Sequence, residues 1–245
     1  QAEASALFWA TDRPQPHANV LRFLAAVRSA PALPKLRAWA NPKDPFPKAG
    51  AQDFPMSWAT AQSALRYLGW TKDPPSFSLL AAQLTRRPPE VDATMESLMQ
   101  GGLGVLGMTL RAIGVGASQG FAQWGDARAY PLLVKYIDEP RENEQSRLEA
   151  CFALPWVATD AQMKEVVQKV HGESKGDRKK DFVRSCYLES LVRRPVKEAT
   201  AGLVDLIAPG VEMEVRHQAA RAIGMGGVTP EMAAALTPKL TDTTT

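Results

Sequence analysis

The stretch Val215-Arg-His-Gln-Ala-Ala-Arg-Ala-Ile-Gly-Met-Gly-Gly227 constrains the fold more than any other part of the chain. Val215, Ala219 and Ile223 fall four residues apart and share one helical face. Ala220 and Ala222 keep the flanks small, so that a neighbouring helix can approach closely. Gly224, Gly226 and Gly227 end the helix, because glycine accepts the left-handed cap that other residues resist. Thr229 is placed to cap the next helix, Pro230 suits its first position, and Glu231 suits the positive end of the helix dipole. Met232, Leu236 and Leu240 again fall four apart, so the spacing predicts a helix, a glycine turn and a second helix.

Copies of this pattern lie upstream. Val183-Arg184-Ser-Cys-Tyr187-Leu-Glu-Ser-Leu191 matches it, with a following helix expected over Val196 to Ile207. Ser146-Arg147-Leu-Glu-Ala150-Cys-Phe-Ala-Leu154 matches again, followed by Asp160 to Val170. The matched arginines Arg147, Arg184 and Arg216 are roughly 32–37 residues apart, and self-similarity at such a period marks a solenoid. A partial fourth copy runs from Gly120 to Ile137.

Trp124-Gly-Asp-Ala-Arg-Ala-Tyr-Pro-Leu-Leu133, then Asp138-Glu-Pro140 and Ser146-Arg-Leu-Glu-Ala150, resembles the short HEAT-like repeat, the kind also found in phycobilisome bilin lyases. In that family a Gly-Asp-x-Arg-Ala turn opens one helix, and an acidic residue with a Val-Arg-x-x-Ala run opens the next. The resemblance implies an all-α fold, an α-solenoid of antiparallel helix pairs. It covers about residues 103–241 and is silent on chemistry, since such repeats serve unrelated roles. Ser146 stands where the family has Val, and the Gly-Asp turn is lost at Arg193-Arg194-Pro195. The implied organisation is an N-terminal helical region over 1–102 and HEAT-like repeats over 103–245 with a Thr-rich tail.

In the first hundred residues, Phe8, Trp9, Pro14 and Pro16 mark an extended or partly helical lead-in. Helices are expected over His17–Ser29, Leu36–Ala40, Ser57–Trp70, Ser76–Arg86 and Glu90–Gln100. The Pro-rich break over Asn41–Pro55 is long for a compact domain, and such loops are functional or flexible. Phe46 and Phe54 within it are expected to anchor it to the helices or to meet a partner.

Composition excludes several classes. Hydrophobic residues make up 45% of the 245, which fits a globular chain. A net charge of +3 is too small by itself to indicate nucleic acid. No window approaches ~20 uninterrupted apolar residues, so no transmembrane segment is expected. The chain opens on Gln1 without an initiator methionine, which points to an exported chain whose leader is gone, with a cytoplasmic one as the alternative. Cys151 aligns with Leu188 rather than Cys186, and equivalent helices ~10 Å apart seldom bring Cα atoms within ~7 Å. Buried free thiols are therefore expected.

Each candidate site has a plain structural counterpart. Gly102-Leu-Gly104-Val-Leu-Gly107 matches the dinucleotide fingerprint, with Asp126 downstream, but the fingerprint needs a preceding strand and the flanking residues are helical in character. The glycines there, with Gly114, Gly116 and Ala117, instead suit close helix packing in a kinked or two-part helix. Arg147, Arg184 and Arg216 could form a ladder that grips an acidic partner, or pair locally with Glu144, Asp181 and Glu212. Lys175, Arg178, Lys179 and Lys180, in a charged loop over Glu173–Asp181, could make a basic edge with Arg193 and Arg194, or simply be solvated. The three histidines are scattered and no HExxH or CxxC is present, so no metal, cofactor or catalytic group is expected. A Cys186–His217 dyad lacks the electropositive setting of a reactive cysteine. Trp124, Asp126 and Arg128 share a turn, as in HEAT-like DNA glycosylases, yet Trp124 and Trp156 are more simply packing residues.

The expected function is a non-enzymatic protein-interaction scaffold or accessory subunit of a larger complex. Its contacts are expected at Arg147, Arg184, Arg216, Phe46, Phe54, Lys175, Arg178, Lys179 and Lys180. The alternatives are a nucleic-acid-binding repeat protein and a bilin-lyase-like enzyme or chaperone.

Overall fold

Apolar side chains recur at helical rather than alternating spacing throughout, and every regular element in the computed structural model is helical. The structure describes residues 2–11, 16–47, 53–87, 104–139, 144–171 and 178–240, and no strand occurs among them. The chain divides into two compact units, Gln1–Val157 and Ala158–Thr245.

The first unit contains α1 (Ala2–Thr11), α2 (Ala18–Ala26), α3 (Leu33–Ala40), α4 (Met56–Thr71), α5 (Pro74–Leu84), α6 (Val105–Trp124), α7 (Tyr130–Asp138) and α8 (Glu144–Val157). Helix α2 packs on α4, α4 on α6, and α6 on α8, while α3, α5 and α7 lie against these longer helices. The expected α4 stripe is correct: Trp58, Ala61, Leu65 and Leu68 are all fully buried. The expected helix over Glu90–Gln100 lies outside the described residues.

Close backbone contact between α4 and α6 is set by glycine. A Cβ on Gly116 would stand 2.6 Å from the Gln62 carbonyl oxygen, and one on Gly120 would stand 2.5 Å from that of Leu65. From the other side, a Cβ on Gly69 would collide with the Gly120 carbonyl oxygen. The small residues do allow close packing, but they sit in one uninterrupted helix rather than in the kinked or two-part helix expected. Packing against α4 offsets the ~1 kcal/mol that each internal glycine costs relative to alanine.

The Gly125-Asp126 turn forms as the pattern predicts. Gly125 closes α6 in the left-handed region (φ 66°), its N–H donating to the Phe121 carbonyl at 2.9 Å. Asp126 then caps a 3-10 turn over Ala127–Ala129, its Oδ1 accepting from the Arg128 N–H at 2.9 Å. The Arg128 guanidinium adds bonds of 2.7 and 3.0 Å. Hydrogen bonds from the Arg128 side chain, then from its backbone, hold the Asp126 carboxyl below the usual aspartate range. A carboxyl lowered on folding stabilises above its unfolded pKa and loses that contribution as pH falls through the folded value. Asp126→Ala is expected to cost about 1 kcal/mol at neutral pH. The gap to wild type should close in melts taken downward from about pH 4.

The second unit contains α9 (Asp160–Val170), α10 (Arg178–Arg193), α11 (Lys197–Thr200), α12 (Met213–Gly226) and α13 (Pro230–Leu240). Helix α10 packs on α9 and α12, and a 3-10 segment over Ala201–Ile207 lies against α12 and α13. Thr159 and Gln162 form a capping box at the start of α9. Thr229 caps α13 as expected, its Oγ1 accepting from the Met232 N–H at 3.2 Å. The helix expected over Val196–Ile207 is instead one α turn and then 3-10. Gly202 weakens the helix there, and its carbonyl is bonded to His171 Nε2 at 2.5 Å, outside the helical ladder. Arg178 to Lys180 begin α10, so the charged loop is shorter than expected; arginine and lysine are good helix formers.

Cys151 and Cys186 are buried as expected, but they are disulfide-bonded and neither is a free thiol. The repeat alignment fixes helix positions, not what a side chain meets, so it was a poor guide to the redox state. Alkylation of the denatured chain is expected to label neither cysteine until a reductant is added.

Candidate functional site

Burial separates the three repeat arginines. Arg147 is 2% exposed, and its Nε donates to the Ile137 carbonyl at 2.7 Å, in the last turn of α7. It ties α7 to α8 and offers no surface to a partner, which corrects its expected place in a contact ladder. Arg184 and Arg216 are half-buried. The Nε of Arg216 is buried without a hydrogen-bond partner among the described residues, while its backbone N–H donates to Glu212 at 2.9 Å.

The Pro-rich segment is fastened to α4 and α5. Phe46 stacks on Trp58 with ring centroids 4.8 Å apart, and the Arg86 guanidinium lies 5.2 and 5.1 Å from those two rings. Arg86 also donates to Asn41 Oδ1 at 3.3 Å and to the Pro42 carbonyl at 3.4 Å. Gln83 donates to the same Asn41 oxygen at 2.9 Å. Burial lowers the pKa of the Arg86 guanidinium, which rests against aromatic faces and carbonyls. Phe46 is thus an anchor, and Phe54 is half-buried just before α4.

Lys175 lies outside the described residues. Arg178, Lys179 and Lys180 occupy the first turn of α10, and their side chains are also outside the description. Of the arginines expected to extend that edge, Arg193 pairs with Glu189 at 3.1 Å and Arg194 with Asp160 at 2.7 Å. Trp124 is buried and meets Phe77 edge-on, as a packing residue should. Trp156 is 69% exposed, so it is not the packing residue expected: it falls on the outward side of α8. Among the described residues, no group of three or more His, Cys, Asp or Glu side chains could hold a metal ion. Cys186 is oxidised, which leaves no thiolate for a dyad with the exposed His217.

A surface that the sequence reading missed lies on α2 and α4. The Arg22 guanidinium sits 5.8 Å from the Trp70 ring, Trp70 lies 5.5 Å from Tyr67, and Arg66 is 5.8 Å from Tyr67. Trp70 Nε1 donates to Gln123, which holds the indole in place. Lys72 follows, donating to the last carbonyls of α6, at 2.8 Å for Gln123 and also to Trp124. Burial lowers the Lys72 pKa first, and nearby Arg28 lowers it further. Arg22, Arg28, Arg66 and Lys72 are all exposed. The signal was present in the sequence: residues 13–43 and 54–72 contain no Asp or Glu, yet carry Arg13, Arg22, Arg28, Lys35, Arg37, Lys43, Arg66 and Lys72. A small overall charge concealed this local imbalance.

No family model matches the chain, and no curated protein matches its sequence. Among the described residues, no helix is long and apolar enough to cross a membrane.

Proposed function

We propose that the chain is an α-solenoid of HEAT-like helix pairs and acts as a non-enzymatic interaction scaffold or accessory subunit of a larger complex. The observation that carries this reading is the succession of helices in the first unit. Each long helix (α2, α4, α6, α8) packs on the next long one, with a shorter helix set against it. Stacked repeats produce that order, because each repeat buries its apolar face against its neighbour. The capped turns at Gly125-Asp126 and Thr229-Pro230 agree with it. Arrays of this kind present extended surfaces suited to protein binding. The oxidised cysteines suit an exported chain, since disulfides persist in oxidising compartments.

Mild affinity purification from the native source, with absorbance read at nucleic-acid, protein and visible wavelengths, tests the reading. A stoichiometric protein partner is expected, free of nucleic acid and pigment. Salt-sensitive nucleic acid alone, or a bound tetrapyrrole, would replace the scaffold reading with one of its alternatives.

A further inference from the structure

We infer that the α2–α4 surface is the docking site for an acidic, partly apolar peptide segment of a partner protein. The inference rests on the scaffold reading and gives it a site and a partner chemistry. Arg22 and Arg66 flank the pair Trp70–Tyr67, each guanidinium close to a ring. An arginine held against an aromatic ring is pre-organised, and its N–H edge is left to meet a carboxylate in the bidentate geometry that suits it. The neighbouring face of α2 adds exposed Phe23 and Val27, one helical turn apart. Cations beside exposed apolar side chains match a segment that alternates carboxylates with apolar residues.

Charge complementarity is the main argument. Helices α2, α3 and α4 carry no acidic residue at all. Arg37 is already paired, with Asp73 at 3.1 Å, and Lys72 with the end of α6, but Arg22 and Arg66 meet aromatic rings rather than acids. Nucleic acid fits less well. Base stacking needs open aromatic faces, whereas Tyr67 is 9% exposed and both Tyr67 and Trp70 already have a guanidinium near the ring.

The test is fluorescence anisotropy with a short labelled Glu/Leu peptide, using the whole chain and its Arg22→Gln/Arg66→Gln variant. The peptide is expected to bind wild type in a salt-sensitive manner. The double variant should bind roughly tenfold more weakly, with an unchanged thermal melt, since bonds between charged groups are at stake. Absent binding, or equal affinity in the variant, would overturn the site. So would tighter binding of oligothymidylate or of phosphatidylserine vesicles than of the peptide. Repeating the native-source purification with the double variant separates the two levels of the argument. A stoichiometric partner held equally by both chains removes this site and keeps the scaffold; no partner with wild type removes the scaffold itself.

Discussion

Gly120→Ala is expected to destabilise the first unit by about 2–3 kcal/mol, although helix propensity alone predicts a gain of up to ~1 kcal/mol. The two effects have opposite signs, and distance decides between them. The new methyl carbon would stand 2.5 Å from the Leu65 carbonyl oxygen and 2.6 Å from Leu80 Cδ2. The leucine methyl can rotate away. The carbonyl belongs to the backbone of α4 and moves only with that helix. Separating α4 from α6 would also loosen Gly116 against Gln62 and Gly69 against Gly120, so one methyl disturbs the whole contact line. Gly224→Ala in α12 provides the comparison. That glycine is exposed, and nothing lies within 4 Å of its would-be Cβ, so alanine should stabilise by about 0.5–1 kcal/mol. Thermal and urea melts of the two variants should therefore shift in opposite directions. Parallel shifts would mean that α4 and α6 are not in backbone contact at these glycines.

What was legible in the sequence was mostly local. The Gly125-Asp126 turn, the Thr229 cap and the apolar stripe of α4 all follow from side chains within a few residues of one another, and all form as expected. Features set by distant partners were not legible. Helix α6 is uninterrupted because α4 packs along its glycines, which no local propensity records. The 3-10 segment over Ala201–Ile207 involves a carbonyl bonded to His171, a residue from another element. The exposure of Trp156 depends on which side of α8 faces outward.

The candidate site shows the same division. Motif matching drew attention to arginines at a repeated position, because repetition is visible in a sequence. It could not distinguish an arginine that repeats for the sake of the fold from one that repeats for a partner. The acid-free runs over 13–43 and 54–72 were equally visible, but as an absence spread over two segments they form no motif. They acquire meaning only when α2 and α4 are seen to pack together and Arg22 is found beside Trp70.

Arg147 supplies the second large effect. Arg147→Ala is expected to cost about 3 kcal/mol, more than a surface arginine would. Truncation removes a charge-assisted hydrogen bond to the Ile137 carbonyl, worth ~1.5–3 kcal/mol, and withdraws a long aliphatic stem from the interior. Arg147→Met keeps most of the stem and loses only the donor, so it should recover part of that cost. The matched repeat position in the second unit gives the contrast. Arg216 is half-buried and its Nε has no acceptor among the described residues, so Arg216→Ala should change stability by less than ~1 kcal/mol. Denaturant unfolding of the three variants, alongside partner capture, distinguishes the roles. A large stability loss at Arg147 with little at Arg216 identifies a position that the repeat conserves in sequence but uses differently in its two copies. A stable Arg147→Ala chain that fails to hold its partner would return Arg147 to the contact surface, despite its burial.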